Sequence, residues 1–126
     1  MRYVLDTTLL IDHSKARPGV AELVASLFAE SSDLYVCDVV VAEALSGGDA
    51  IQRATIESLI RALEYVSTPP DAAVWAADSR RQRRASGPRS LADAIIAGVA
   101  RFHDATVVTR NPRDFEIQGV RVLGYG

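Results

Sequence analysis

The chain of 126 residues contains one cysteine, one methionine, one tryptophan and one lysine. A single cysteine, Cys37, excludes an intramolecular disulfide bond and a metal cluster built from several cysteines, and we expect it in the core at the end of a strand. No glycine-rich motif ending in lysine is present, which excludes a P-loop nucleotide-binding protein. The longest apolar runs, at residues 39–42 and 94–100, are too short to cross a bilayer. Because Asp6 interrupts the N-terminus before a signal-peptide core can form, we expect a cytoplasmic protein with no membrane contact.

Hydrophobic residues make up 48% of the sequence, enough to build the core of one domain of this length. Short β-rich runs alternate with helical patterns, which predicts an α/β fold and not a helical bundle. The predicted strands cover residues 2–5, 34–37, 65–67, 105–109 and 120–123. The predicted helices cover residues 7–13, 18–30, 39–45, 49–64, 71–85 and 91–102. No repeat or linker divides the chain, so we expect a single domain over residues 1–126.

Three local features are also predicted. Asp12, at the end of the first helix, is expected at the surface. Ser90 is a good N-cap for the helix at residues 91–102. This helix has an apolar stripe that includes Phe102, and its small residues are expected to leave little bulk on the face that carries Asp93; they are Ala94, Ala97, Gly98 and Ala100.

Four carboxylates occupy similar places relative to these elements. Asp6 follows the first strand, Glu43 and Asp93 lie early in helices, and Asp114 lies in a polar loop after the fourth strand. Open α/β sheets place their chemistry outside the carboxyl ends of the strands, where these acids are expected. Structural explanations stay open for two of them, because Asp6 is also a good N-cap for the next helix and Glu43 is also typical of a solvated helical position.

Four anions in one pocket would raise one another's pKa, so such a site requires cations. Oxygen ligands without His or Cys suit Mg²⁺ or Mn²⁺, which activate water and stabilise the leaving oxygen of a phosphodiester. Without these four acids the chain carries twelve acids and fourteen bases. A negatively charged site on a protein whose other residues carry a small positive charge is typical of an enzyme that binds cations in the site and a polyanion such as a nucleic acid on its surface.

A dense cationic run closes the predicted helix at residues 71–85. It comprises Arg80, Arg81, Arg83 and Arg84, and Arg89 follows in the next loop. Cations at a helix end complement the helix dipole, so the run has an ordinary explanation as a solvated helix end. It also leads directly into the helix that carries Asp93. Contact with RNA phosphates, which position a strand without reading its sequence, is the equal alternative.

The order of these residues resembles the PIN-domain ribonucleases and, in size, the VapC-type toxins of bacterial toxin–antitoxin pairs. The matching segments extend across essentially the whole chain: VLDTT at 4–8, VAE at 41–43, LADAIIA at 91–97 and TRNPRDF at 109–115. The resemblance implies a three-layer α/β/α sandwich with a central, mainly parallel sheet of four to five short strands. It also implies a divalent-metal-dependent endoribonuclease, often a homodimer, that a cognate antitoxin neutralises.

The resemblance also implies roles for particular residues. By motif position, the catalytic and metal-binding acids are Asp6, Glu43, Asp93 and Asp114, with Mg²⁺ or Mn²⁺ as the cofactor. We assign the principal ion to Asp6 and Asp93 as a hypothesis, and a second ion or the attacking water to Glu43 and Asp114. The supporting candidates are Thr7, Thr109 and Asn111, since threonine hydroxyls can orient ligand carboxylates.

Two other classes of small α/β protein fit the sequence poorly. A receiver-like signalling module needs a phospho-accepting Asp after the third strand and a late Lys, whereas Ser67 follows Val66 and Lys15 is the only lysine. A phosphatase with an Asp nucleophile needs a second acid two residues after Asp6, where Thr8 stands. The alternative that stays open is a PIN fold used as an RNA-binding or assembly module with little or no turnover.

Overall fold

The computed structural model describes residues 1–30, 33–82 and 90–126. The described residues form a five-stranded sheet in the order β3-β2-β1-β4-β5, with every neighbouring pair parallel. The strands are β1 Arg2–Leu5, β2 Asp33–Cys37, β3 Glu64–Val66, β4 Thr106–Thr109 and β5 Val122–Gly124. The flanking helices are α1 Thr7–Ser14, α2 Val20–Glu30, α3 Asp38–Leu45, α4 Ala50–Ala62, α5 Pro70–Gln82, α6 Leu91–Phe102 and α7 Pro112–Glu116. The predicted α/β architecture is confirmed, and the sheet is entirely parallel.

The order of the strands reverses at β1. The chain first adds β2 and β3 on one side of β1, and then returns to add β4 and β5 on the other side. The register pairs Leu5 with Val108, so Asp6 and Thr109 stand side by side where these two strands end. In open parallel sheets, the crevice at such a reversal is the usual ligand site. The topology therefore creates a crevice at the carboxyl ends of β1 and β4.

The central strands are buried on both faces, as a parallel sheet covered by helices requires. Val4, Leu5, Val107 and Val108 have no exposed surface. Cys37 is a core residue at the end of β2, as predicted, and burial raises the pKa of its thiol to about 11. It is therefore protonated at neutral pH and is not a nucleophile. None of the described helices is long and apolar enough to cross a membrane.

The small residues of α6 pack against α5, and this corrects the expectation that they leave an open surface beside Asp93. Ala94, Ala97 and Ala100 are buried, and a Cβ atom on Gly98 would lie 2.6 Å from the carbonyl oxygen of Ala72. Phe102, which was expected on the apolar stripe of this helix, is 53% exposed. The small side chains of α6 therefore allow α5 and α6 to pack closely together.

Two local predictions were wrong. Asp12 was expected at the surface, but it is only 5% exposed because Tyr125 and Arg110 bind its carboxylate. The polar loop after β4 contains the short helix α7, which begins at Pro112 directly after Asn111. Proline at the first helical position has the required φ and lacks an N–H group that would be unsatisfied. The other element ends among the described residues agree with the predictions or differ by one or two residues, and the predicted helix end at residue 85 lies outside the described residues.

The start of α4 offers a test of local stability. Asp49 Oδ1 accepts a hydrogen bond from Gln52 N–H at 2.8 Å, and Gln52 Oε1 accepts one from Asp49 N–H at 3.0 Å. We predict that Asp49→Ala lowers the free energy of unfolding by about 1 kcal/mol, because it removes this capping box. Urea unfolding measures the change. Asp78→Ala, at an exposed position within α5, is the control, and an equal loss in both variants would contradict the prediction.

Candidate active site

Asp6 is the buried centre of the crevice. It is 3% exposed, and its N–H donates to the carbonyl oxygen of Val108 at 3.0 Å, which extends the β1–β4 pairing by one residue. Its Oδ2 atom accepts two hydrogen bonds from hydroxyl groups, from Thr109 Oγ1 at 2.7 Å and from Thr8 Oγ1 at 3.0 Å. The carboxylate is therefore fixed from the β4 side and from the α1 side.

Backbone groups set the direction of both hydroxyls. Arg110 N–H donates to Thr8 Oγ1 at 3.2 Å, and Asn111 N–H donates to Thr109 Oγ1 at 3.0 Å. Each hydroxyl oxygen accepts a proton from the backbone and gives its own to Asp6 Oδ2. The Oδ1 atom of Asp6 receives no hydrogen bond from a side chain within residues 1–30, 33–82 and 90–126. The backbone N–H of Thr7 also donates to this carboxylate. A carboxylate offers about four lone-pair sites, so these three hydrogen bonds leave room for a ligand to bind Asp6.

Glu43 lies beside Asp6 because α3 begins immediately after β2. Thr7 Oγ1 donates to Glu43 Oε1 at 2.7 Å, and Thr7 is the residue next to Asp6. Burial raises the pKa of Asp6 above its usual value, and the charge of Glu43 raises it further. The hydroxyls of Thr109 and Thr8 oppose this by lowering the pKa. The pair is thus a site of concentrated negative charge that a cation would stabilise.

The structure does not assemble the four predicted acids into one cluster. Asp93 is partly buried in the first turn of α6, where its N–H donates to the Ser90 side chain at 3.2 Å and confirms Ser90 as the N-cap. Asp114 is partly buried in the first turn of α7. In the described part of the chain, no three His, Cys, Asp or Glu side chains form a group that could hold a metal ion. Glu43 is exposed on α3 and is linked to Asp6 through the neighbouring residue Thr7 and through the effect of its charge, whereas Asp93 and Asp114 stay predicted ligands.

The remaining predicted residues divide into two groups. The Thr7 and Thr109 hydroxyls bind carboxylates as described, whereas Asn111 contributes its backbone N–H to Thr109. Arg80 and Arg81 are exposed in the last turn of α5. Arg83, Arg84 and Arg89 lie outside the described residues.

Sequence reasoning missed three residues near Asp6: Thr8, Asp12 and Tyr125. The signal for Thr8 was its place two residues after Asp6, from which a short side chain can reach back to the carboxylate. Asp12 and Tyr125 carry no comparable signal, because their contact depends on where the C-terminal segment lies in the folded chain.

The segments that build this crevice match a known family. A model of the PIN domain matches residues 3–119, a span that includes all four predicted acids. The chain belongs to the PIN-domain family. A curated relative, Ribonuclease VapC19 of Mycobacterium tuberculosis, is 28% identical over 113 residues, covering 89% of this chain and 90% of that protein. This relative extends the similarity over most of both chains.

Solved structures of PIN-domain proteins share the fold. The DNA-bound VapBC structure from Salmonella typhimurium matches with a TM-score of 0.84 and 26% identity, covering 98% of each chain. FitAcB from Neisseria gonorrhoeae matches with a TM-score of 0.74 and 26% identity, covering 97% of this PIN chain and 96% of its counterpart. These similarities extend over the sheet and its helices, and include the crevice at Asp6.

Proposed function

We propose that this PIN-domain chain is a divalent-metal-dependent endoribonuclease and the toxin of a toxin–antitoxin pair. The observation that carries the proposal is the buried Asp6 carboxylate, oriented by two hydroxyls at the reversal point of the sheet and paired with Glu43. The similarity to Ribonuclease VapC19 and to the VapBC structure supports the choice of reaction and of system.

The residues at the crevice fit a hard divalent cation. Oxygen ligands suit Mg²⁺ and Mn²⁺, and the Asp6–Glu43 pair has the excess negative charge that such an ion offsets. We propose Asp6 and Glu43 as ligands from this pair, with Asp93 and Asp114 as the further acids. A bound cation would supply a more acidic water molecule and neutralise charge on the leaving oxygen of the phosphodiester.

The chain's own residues hold this site in position before RNA arrives. The Thr8 and Thr109 hydroxyls fix Asp6 Oδ2, so the carboxylate is already oriented and does not need to reorganise during the reaction. The Thr7 hydroxyl donates to the Glu43 carboxylate and holds it near Asp6. In that position Glu43 could accept a proton from a water molecule or bind a metal-bound water by a hydrogen bond. Asp6 is buried away from bulk water, which strengthens the electrostatic interactions that its carboxylate makes.

RNA contact is proposed for several arginines of the chain. Arg80 and Arg81 end α5, and Arg110 begins the segment that joins β4 to α7. The other predicted contacts are Arg83, Arg84 and Arg89. Because phosphate contacts carry no sequence information, replacing one of these residues should weaken binding to all RNAs to a similar degree. The reaction on cellular RNA is proposed to take place in the cytoplasm.

An antitoxin partner is supported by the VapBC and FitAcB neighbours. The sequence offers two apolar segments as its docking surface, residues 20–28 in α2 and residues 39–45 in α3. An open groove of about 740 Å³ lies between α1, α2 and α4, with Val24 and Leu59 among its lining residues and Ile51, 79% exposed, at its side. We therefore favour the α2 side as the docking surface of the antitoxin.

A homodimer is proposed from the family resemblance, and sedimentation equilibrium of the free toxin tests it.

The direct test is incubation of purified protein with total cellular RNA in Mg²⁺, in Mn²⁺ and in EDTA. The proposal predicts discrete fragments with either metal and none with EDTA. A protein that binds RNA without cutting it in any metal would favour the binding-module alternative. Addition of the cognate antitoxin should abolish cleavage, and cleavage that persists with a saturating antitoxin would contradict the toxin assignment.

Thr109→Val tests the orientation of Asp6. The substitution keeps the shape of the side chain and removes the hydroxyl that donates to Asp6 Oδ2 and accepts from Asn111 N–H. We predict that Mn²⁺ affinity falls by roughly 10- to 100-fold, as is usual when a ligand loses its hydrogen-bond partner. Calorimetric titration with Mn²⁺ measures it. Thr106→Val, also buried on β4, is the matched control, and equal affinities in the two variants would contradict the prediction.

A further inference from the structure

The C-terminal segment returns to the candidate site after β5. Tyr125 N–H donates to the Thr109 carbonyl oxygen at 3.2 Å, and the Tyr125 hydroxyl donates to Asp12 Oδ2 at 2.8 Å. The same Asp12 oxygen lies 3.3 Å from Arg110 Nε. One aromatic residue therefore ties the end of β4 to α1, directly behind the crevice that contains Asp6.

Asp12, Tyr125 and Arg110 form a cluster around one buried carboxylate, that of Asp12. The Asp12 side chain is only 7% exposed, so its carboxylate requires the ion pair with Arg110 and the hydrogen bond from Tyr125. The Arg110 side chain is 39% exposed, so the ion pair is half-buried and its net contribution to stability is expected to be small. Because the partners come from α1, from the segment after β4 and from the C-terminal end, the cluster fixes the relative positions of three segments.

Two series of hydrogen bonds connect this cluster to Asp6. In the first, Asp12 holds Arg110, whose backbone N–H binds the Thr8 hydroxyl, and Thr8 donates to Asp6 Oδ2. In the second, Tyr125 N–H holds the Thr109 carbonyl group, and the Thr109 hydroxyl donates to the same Asp6 oxygen. Both hydroxyls that orient Asp6 thus depend on the placement of residues 109–110.

We propose that Asp12 and Tyr125 are positioning residues that hold residues 109–110 against α1 and thereby orient the Asp6 carboxylate toward a divalent cation. The proposal rests on the proposed metal-dependent function for its consequence in catalysis. The orientation itself is a property of the metal-free chain. The hydrogen bonds to Asp6 come from Thr7, Thr8 and Thr109, so Asp12 and Tyr125 act on it through Arg110, Thr8 and Thr109.

Tyr125→Phe is the principal test, because it keeps the ring and removes only the hydroxyl. We expect the backbone amides of Arg110 and Asn111 to exchange with solvent at least about threefold faster in the metal-free protein, measured by NMR. We also expect the Mn²⁺ dissociation constant to rise about three- to tenfold, less than for loss of a direct partner of a ligand. Cleavage should fall at low Mn²⁺ and recover when Mn²⁺ is saturating. Asp12→Asn should change the same three quantities in the same direction.

Tyr65→Phe is the matched control, since it removes an exposed tyrosine hydroxyl on β3, at the opposite edge of the sheet. It should leave amide exchange, Mn²⁺ affinity and cleavage at their original values. The proposal is overturned if Tyr125→Phe and Asp12→Asn both match the unmodified protein in exchange at residues 110–111 and in Mn²⁺ affinity. A uniform increase of exchange over all strands also overturns it, because that result indicates lost global stability. Failure of the unmodified protein to cut RNA would refute the proposed function alone.

Discussion

Asp6→Asn is expected to lower metal-dependent RNA cleavage by about 1,000-fold. A bound cation contributes several kcal/mol of transition-state stabilisation, and each 1.36 kcal/mol corresponds to a factor of ten in rate. Asparagine keeps the size of the side chain and an oxygen that accepts from Thr8 and Thr109, but it removes the charge that would hold the ion. Initial rates of cleavage of one defined RNA at saturating Mg²⁺ measure the effect.

The control for this experiment is Asp104→Asn. Asp104 precedes β4 at the opposite end of the sheet, its side chain is 83% exposed, and its φ of 52° is one that asparagine adopts readily. This variant should cleave RNA within about twofold of the original rate, given that surface ion pairs contribute little to stability. An Asp6→Asn protein that keeps more than about a tenth of the activity would show that Asp6 is not a metal ligand in this reaction.

The same substitution has the opposite effect on the metal-free protein. Burial and Glu43 raise the pKa of Asp6 in the folded state above 3.8, so the folded chain binds this proton more tightly than the unfolded chain. The associated stability is present below the unfolded pKa and is lost as the pH rises through the folded pKa. In EDTA at pH 7, Asp6→Asn should therefore melt at a higher temperature than the original protein, and the difference should shrink toward about pH 4.

Gly98→Val is expected to destabilise the fold by about 3 kcal/mol, or about 10 °C in melting temperature. Even a single Cβ atom at this position would lie 2.6 Å from the Ala72 carbonyl oxygen and 3.4 Å from the Trp75 ring. The clash is with the backbone of α5, which cannot move aside by rotation of a side chain. The expected result is separation of α5 from α6, seen in thermal unfolding followed by circular dichroism.

Ala73→Val controls for the cost of a β-branched residue in a helix. Ala73 is exposed on α5, and the substitution should cost only about 0.6 kcal/mol. If the two valine variants were equally stable, α5 and α6 would not pack as closely as Gly98 indicates. Since α6 also carries Asp93, loss of this packing should reduce cleavage as well.

The parts of this molecule that depend on local patterns could be predicted from its sequence. Alternation of β-rich runs with amphipathic helices predicted the α/β fold, and Ser90 was identified as the N-cap of α6 because its acceptor role involves a residue three positions away. Burial of Cys37 followed from its place at the end of an apolar strand. In each case the relevant interaction lies within one element or is averaged over many residues.

The failures involve contacts between distant segments. Asp12 looked like a surface residue of α1 because nothing nearby in sequence satisfies its charge, and its partners Arg110 and Tyr125 reach it only in the folded chain. The small residues of α6 looked like an open face because the sequence does not show that α5 covers them. Asp6 and Thr109 were both identified as site residues, but their contact depends on the β1–β4 register, which a single sequence does not contain.

The most direct test of this account is the position of Mn²⁺ in a crystal of the purified protein, determined by anomalous diffraction. The account predicts a Mn²⁺ peak about 2.0–2.3 Å from a carboxylate oxygen of Asp6, with at least one further acid among Glu43, Asp93 and Asp114 as a ligand or bound through water. Asp6→Asn crystals prepared in the same way should show no peak there. A Mn²⁺ ion bound elsewhere, with the Asp6 crevice empty in the unmodified protein, would contradict the account.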